Sequence, residues 1–354
     1  MSQGLCGLKN SGNDCYLNST IQILVQNDLV RNQLTCDKKK IIQILSNKQN
    51  LSRTMTINII KIIENMWTNK IYNVGQLKES FRGKTKLFDG SQHDANETLI
   101  FIIDNLCQEL HYHDPKIENN INKLVDIKKA LANKIINNNN NTKYAIEYVK
   151  CKGLIELEKF YSTNNSNISK IFSGMLLSTI KCTHNNCKYT SHTFQTFMHL
   201  VLPIPNGTDE YNIMDCIDEY FKQILLDKDN MWYCEKCGEY RQAIKKIDIW
   251  KYPKILNIQL NRFIFTNKNC AFVDYPVDEL DLSNYISKYS PDEIKNSIYK
   301  LTGGVNHYGN TNSGHYNSIA LNNNNWYMFD DTNIVGIDAN KNNKSSIYLL
   351  MYQR

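Results

Sequence analysis

A chain of 354 residues can bury a large core, as one big domain or two smaller ones. Its formal net charge of +6 is thinly scattered, with Lys38-Lys39-Lys40 the one cationic triplet, which argues against a nucleic-acid stripe. No apolar run approaches the roughly 18 residues of a membrane-spanning helix, so no membrane association is expected.

The start, Met1 to Cys6, lacks the basic and apolar regions of a secretory signal, so an intracellular location, cytoplasmic or nuclear, is expected. The eleven cysteines should then be mostly reduced, and an odd count suits thiol chemistry plus metal ligands better than a disulfide framework. Asparagine tracts at 137–141, 322–325 and 342–343 predict loops, because Asn competes with backbone bonding and tolerates left-handed conformations.

From Cys15, the residues Leu17, Ile21, Leu24 and Val25 recur at helical spacing, which puts Cys15 in the first turn of an amphipathic helix. Asn13 or Asp14 would cap it, and Gly12 permits the tight turn before it. Residues 41–66 predict further helix. Ser91-Gln92-His93-Asp94 precedes another, with Ala95, Leu99, Ile102, Ile103, Leu106 and Leu110 on its apolar face and Ser91 and Asp94 placed as a capping box. The first third is expected to be all-helical.

Residues 111–167 are polar and punctuated by asparagine, and predict helices with a disordered or family-variable insertion. Beyond Ser169 the apolar period changes to two. Strands are predicted over 171–181, 188–202, 240–249 and 254–265, with Leu256, Ile258 and Leu260 on one face. Residues 211–226 predict a short amphipathic helix, and 314–352 a strand meander. Helices first and strands later define an α+β chain.

Cys15 is a candidate nucleophile. A thiol is only slightly ionised at neutral pH, and a place in the first helical turn favours the thiolate, as does a neighbouring imidazole. Two histidines compete for that role. His315 follows the small Gly314 and begins a strand, whereas His307 lies in a Gly/Asn-rich stretch and reads as a mobile surface residue. If 322–325 form a symmetric loop, Asn317 faces Asp330, and His315 shares that face. Asp330 is then the acid that orients the ring, and a one-residue slip of register would exchange it for Asp331.

The run from Gly7 to Ser19 and the segment Gly314-His315-Tyr316 resemble the cysteine and histidine boxes of the ubiquitin-specific proteases, the papain-like deubiquitinases. The resemblance extends from about Leu5 to the last strand. It implies one catalytic domain over 1–354. A helical thumb would span about 1–165, including an Asn-rich insertion at about 111–167, and zinc-bearing β fingers about 170–250. A β palm would take about 165–180 and 250–354. The active site would lie between thumb and palm.

The resemblance also assigns roles. Asn10, five positions before Cys15, matches the oxyanion-hole side chain, and Asp330 matches the third catalytic residue. The implied substrate is ubiquitin, whose tail is extended, basic and ends in two glycines. Gly90 to Glu97 matches the segment that grips this tail, with Gln92, Asp94 and Glu97 as its contacts. Phe263, Gly314 and Tyr316 match positions lining the tail channel, although Phe263 reads equally well as core. The stretch Gly303 to Gly314 matches the mobile loop before the histidine, and Asn267–Asp274 a second loop.

Cys182 and Cys187, with Cys234 and Cys237, form two knuckles at the tips of predicted hairpins. Brought together they make a tetrahedral all-thiolate zinc site, of structural kind because no open position is left for water. The four residues between the first two cysteines exceed the usual two, so His184 could compete as a ligand. Cys6, Cys36, Cys107, Cys151, Cys216 and Cys270 have no partners by spacing.

The expected function is that of a monomeric deubiquitinase acting on ubiquitin or ubiquitinated proteins. The competing readings are a catalytically silent ubiquitin-binding scaffold, a protease for a ubiquitin-like modifier or for peptides, and a zinc module that binds nucleic acid.

Overall fold

The helix that begins at Cys15 joins the helical and sheet parts of the molecule. The computed structural model describes residues 4–46, 54–137, 142–264, 267–310 and 313–354. The helical part contains α1 (Cys15–Gln26), α2 (Asp28–Thr35), α3 (Lys38–Ser46), α4 (Met55–Met66), α5 (Gly75–Phe81) and α6 (Ala95–Glu109). It is not wholly helical, because β1 (Gly7–Leu8) and β2 (Ile71–Tyr72) form a short parallel pair that holds down the segment before Cys15.

Next come α7 (Pro115–Asn137), α8 (Thr142–Asn164) and α9 (Asn167–Phe172). The segment expected to be helices with a disordered or family-variable insertion is, over its described residues, a pair of 23-residue helices. Among the described residues α7 buries only Ile117, while Val149 and neighbours on α8 pack against Met175, Leu177 and Trp250. Of the predicted loop at 137–141, Asn137 is instead the last residue of α7, and 138–141 lie outside the described residues.

The remaining chain is mostly strand: β3 (Gly174–Cys182), β4 (Thr190–Phe197), β5 (His199–Pro203), β6 (Glu210–Asn212), then α10 (Ile213–Phe221) and β7 (Ile224–Leu226). The predicted helix over 211–226 thus stops at Phe221, because Ile224–Leu226 pair with a later strand. After β8 (Trp232–Cys234), β9 (Glu239–Arg241) and β10 (Ala243–Lys251) come β11 (Ile255–Asn261), β12 (Phe263–Ile264), β13 (Asn267–Lys268), β14 (Phe272–Asp274) and β15 (Leu280–Asp281). The chain ends with β16 (Ile298–Gly309), β17 (Gly314–Asn322), β18 (Asn325–Asp330), β19 (Asn333–Gly336) and β20 (Ile347–Gln353).

Two sheets dominate. One has the order β4-β3-β10-β7 and carries the β8–β9 ribbon near its end; the other runs β19-β18-β17-β16-β20-β11-β5. The expected terminal meander is therefore interrupted. Its last strand crosses over and inserts between β16 and β11, where all but the final residue of Ile347–Gln353 is buried.

Every residue of α1 is buried, since α6 covers one side and β16 and β17 the other. Burying Leu17, Ile21, Leu24 and Val25 contributes about 1.5–3 kcal/mol each. The polar Gln22 and Gln26 are buried too, and their amides donate to the carbonyls of Cys6 and Gly4. Close packing also explains Gly303, where a Cβ would sit 3.1 Å from Ile23. The glycine-rich stretch from Gly303 is therefore not all the mobile loop that the resemblance implies. It is strand as far as Gly309, paired residue by residue with β17.

Candidate active site

Cys15 is the first residue of α1 and only 3 % exposed. Neither expected cap is in place. Asp14 holds the cap position but makes no side-chain bond to the first turn; its carboxylate lies 2.5 Å from Lys78 Nζ and accepts from the Ser11 N–H at 3.0 Å. Asn13, at φ +56°, donates instead to the Gly90 carbonyl. Among the described residues the first-turn N–H groups thus have no side-chain acceptor, and the helix's positive end is available to a thiolate or an oxyanion. Gly12, at φ +125°, makes the tight turn that a side chain would strain.

His315 lies between that sulfur and an acid. Its Nε2 is 2.6 Å from Asp330 Oδ1. The hairpin carrying both turns on Asn323 and Asn324, whose φ values of +48° and +64° suit a two-residue primed turn. The paired register is that of a symmetric turn and ends at Ser318 opposite Phe329, so Asp330 is the next residue of β18 on the side of His315. A hydrogen bond with Cys15, and then Asp330, push the imidazole up to about 9 against the opposing effect of burial. The proton on the ring is held by the two groups it bridges.

His307 is not a surface residue. It is buried on β16, packed against Tyr316 with ring centroids 4.6 Å apart and Phe263 at 5.3 Å. Burial, then Lys268 and His315, push it down to about 4, which keeps it neutral. It shapes Gly314 from behind, since a Cβ there would meet His307 Nε2 at 2.2 Å.

Asn10 donates through Nδ2 to Asp331 Oδ2 at 2.9 Å, while its Oδ1 accepts from the N–H groups of Gly12 and Asp14. The second Nδ2 hydrogen makes no other bond among the described residues. Asn18 donates to the other oxygen of Asp331 at 2.7 Å and to the Leu8 carbonyl. Asp331 is therefore turned from the histidine's carboxylate partner toward the turn before Cys15, with a left-handed φ of +50°.

Beside this centre runs a groove of about 710 Å³, lined in part by Asp94, Glu97, Asp104, Asn261, Phe263 and Tyr348. Ser91 does not cap α6. Asp94 does so itself, accepting from the Glu97 N–H at 2.9 Å, and its second oxygen accepts from the Tyr348 hydroxyl at 2.5 Å. Glu97 and Asp104 are left as the acids with no partner for their carboxylates among the described residues, and burial pushes Asp104 upward. Gln92 bonds Gly314 across the cleft, and Phe263, Tyr316 and Tyr348 form one aromatic cluster with His307. Asp104 and Tyr348 were missed from sequence; the two-turn spacing of Glu97 and Asp104 along α6 was the available signal for the first.

The expected second loop is partly strand. Arg262, fully buried, donates to the carbonyls of Ile347, Asn269, Ala271 and Lys344, and so ties that segment to the end of the chain. Residues 265–266 of this region and 311–312 of the first loop lie outside the described residues.

At the ends of β3 and the β8–β9 ribbon, outside the sheet that carries His315, Cys182, Cys187, Cys234 and Cys237 converge with all four sulfurs within 4.8 Å of one another. His184 is not among them; its carbonyl instead accepts from the Cys187 N–H. Three of the four cysteines are buried, and the β8–β9 knuckle turns through Gly238 at φ +72°. The donor set fits a tetrahedral thiophilic metal such as zinc. All eleven cysteines are free thiols, with Cys36 and Cys270 exposed and Cys6, Cys107, Cys151 and Cys216 buried. No described helix is long and apolar enough to cross a membrane.

A cysteine at a helix start, with an imidazole and carboxylate from a facing sheet, defines a papain-like thiol hydrolase. The sequence profile of the family "Ubiquitin carboxyl-terminal hydrolase" matches residues 6–352. A probable ubiquitin carboxyl-terminal hydrolase of Acanthamoeba polyphaga mimivirus is 31% identical, covering 100% of this chain and 91% of the relative. Ubiquitin carboxyl-terminal hydrolase 2 of Bos taurus is 30% identical over 99% of this chain, which spans only 55% of that protein. A chain of the SAGA deubiquitinating module Ubp8/Sgf11/Sus1/Sgf73 bound to monoubiquitin superposes with a TM-score of 0.73 at 25% identity, over 99% of this chain and 69% of that one. The chain belongs to the ubiquitin carboxyl-terminal hydrolase family and is a cysteine-type hydrolase of the deubiquitinase class. Its mixed helix-and-sheet architecture is that of the family's catalytic domain.

Proposed function

We propose that Cys15 cleaves the bond after the C-terminal glycine of ubiquitin, whether isopeptide or peptide. The observation that carries this reading is the convergence of Cys15, His315 and Asp330, with Tyr316, the residue after His315, in ring contact with Tyr348 of an acid-lined groove. The thiolate attacks the glycine carbonyl, and the second amide hydrogen of Asn10, with the first-turn N–H groups of α1, stabilises the oxyanion. Collapse breaks the C–N bond, and the departing lysine amine takes the proton from His315. A water then gives a proton back to His315 as it attacks the thioester, releasing the ubiquitin carboxylate and the thiol. Asp330 holds the ring through both steps.

Glu97 and Asp104 are the groups we assign to the tail's arginines, because each carboxylate faces the groove without an internal partner. Asp94 acts indirectly, by starting α6 and holding Tyr348. Phe263, Tyr316 and Gly314 wall the channel. A second hollow of about 690 Å³, where apolar Leu176, Phe197 and Val201 lie among polar Ser178, Gln195 and Lys245, offers a mixed seat for the globular body of ubiquitin.

The chain is read as one catalytic domain of thumb, palm and fingers, acting as a monomer inside the cell, with neither nucleic acid nor membrane as partner. Cys182, Cys187, Cys234 and Cys237 would hold one zinc ion that braces the β8–β9 ribbon against β3. The test is cleavage of a di-ubiquitin panel alongside reaction with a ubiquitin vinyl-sulfone probe. Wild type should cut and form one adduct, and Cys15→Ala should do neither. Adduct formation with another modifier but not with ubiquitin would overturn the substrate assignment.

A further inference from the structure

Gln92 spends both ends of its amide on one backbone residue across the cleft. Nε2 donates to the Gly314 carbonyl at 2.9 Å, and Oε1 accepts from the Gly314 N–H at 3.1 Å. In an antiparallel ladder, facing residues alternate between pairs that exchange hydrogen bonds and pairs that do not. The Asn310 N–H donates to the Ser313 carbonyl at 2.9 Å, and the next pair inward is Gly309 with Gly314. Gly314 therefore occupies a non-exchanging position, and its N–H and C=O turn away from β16.

On that outer side β18 reaches inward only to Phe329 opposite Ser318. Among the described residues no strand pairs with the edge of β17 at Gly314, next to His315, and Gln92 covers it. A primary amide offers the same donor and acceptor as a peptide unit. An extended peptide docking beside His315 would pair with the same two groups, as strand addition does elsewhere.

We propose that Gln92 is a displaceable stand-in for the substrate backbone and thereby a specificity-determining residue. It occupies the β17 edge at Gly314 until an extended, glycine-ended tail exchanges with it. Such a tail brings its own donor and acceptor without side chains to collide with the displaced amide, whereas a bulkier end meets Gln92 without replacing its bonds. This inference rests on the assignment of an extended tail as substrate. It also revises the role expected for Gln92, from gripping the tail to competing with it.

The test compares wild type, Gln92→Ala and Gln92→Glu for the second-order rate of adduct formation with a ubiquitin vinyl-sulfone probe. Alkylation by iodoacetamide and hydrogen exchange at the Gly314 amide are measured in parallel. Gln92→Ala should react about three- to tenfold faster with the probe and expose Gly314 to exchange by a similar factor. Gln92→Glu keeps the acceptor and loses the donor, so it should fall between. An equal or slower probe reaction in Gln92→Ala overturns the proposal, because a gripping or bracing residue behaves that way. A matching rise with iodoacetamide also overturns it, since the thiolate itself would then have changed. Failure of the wild type to form any adduct, with Gly314 exchange still responding to Gln92→Ala, marks the deubiquitinase assignment as the part at fault.

Discussion

Asp331 accepts a 2.9 Å hydrogen bond from the side chain of Asn10 and so joins the end of β18 to the turn that precedes Cys15. Its neighbour Asp330 serves the histidine, so two adjacent carboxylates within one cluster hold different partners of the same centre. Asp331→Ala should release Asn10 and lower kcat about tenfold to a hundredfold with KM little changed, as loss of an oxyanion donor does. Asn10→Ala should cost as much, and the double variant little more, because both act through one amide. Additive losses in that cycle would show that Asp331 works independently of Asn10.

The elevated His315 sets the alkaline limit. The ring must be protonated to expel the amine, so kcat/KM should fall as pH rises through about 9. Asp330→Asn removes one of the two groups that hold the proton, so this limb should move toward lower pH, with kcat down about tenfold or more. The same shift has a stability consequence. A raised folded-state value stabilises the fold fully below the ordinary 6.5 and loses that contribution as pH rises through about 9. A pH–rate profile with a limb near neutrality in wild type would contradict the bridged geometry.

Metal removal should act on the ribbon, not on the thiol. Structural zinc supplies about 10–16 kcal/mol of apparent binding energy in small zinc modules, and here it would restrain two knuckles distant in sequence. Treatment with a strong chelator, or Cys234→Ser, should lower Tm and loosen the β8–β9 ribbon to proteolysis. The rate of Cys15 alkylation should stay near that of the untreated protein. Elemental analysis of protein purified without added metal should find one zinc per chain, and none would remove the assignment.

Arg262 is a buried cation whose guanidinium contacts are four carbonyls. Burial pushes it down to about 10, a cost that only a full set of acceptors offsets. Arg262→Lys cannot reach all four, because an ammonium is a point donor and not a planar fork. Chemical denaturation should show a loss of about 2–4 kcal/mol. The groove should loosen as well, since Arg262 ties Asn269 and Ala271 to the end of the chain.

Groove charge should govern binding more than chemistry. Glu97→Gln and Asp104→Asn should each raise KM several-fold for a ubiquitin substrate, with kcat nearly unchanged and the difference shrinking at high salt. Equal losses on a tail-less acyl substrate would argue that these acids support the fold instead.

Local patterns in the chain were readable where a single element carried the signal. The spacing of Leu17, Ile21, Leu24 and Val25 placed Cys15 on the first turn of a helix, and the four asparagines marked the turn between β17 and β18. Paired knuckles of cysteine identified the sulfur cluster without any coordinate. Composition misled where packing overrode it. Gly303 and Gly304 look like hinge residues but lie in a buried strand against α1 and β20. The tract at 342–343 is loop, as its asparagines predict, although Asn342 is buried there in hydrogen bonds with Asn306 and the Tyr275 hydroxyl.

The order of residues along the chain was enough to name the nucleophile, the candidate bases, the acids and the four sulfur ligands, because each belongs to a motif a few residues long. Which acid serves which partner was settled by folding, since Asp330 and Asp331 are adjacent in sequence and differ only in the direction a strand end and a left-handed turn give their side chains. The same holds for Asp94, claimed by its own helix and by Tyr348, and for His307, neutral because a helix-covered sheet excludes water around it. Hydrogen bonds and dielectric depend on neighbours brought from hundreds of residues away, and no local pattern carries that information.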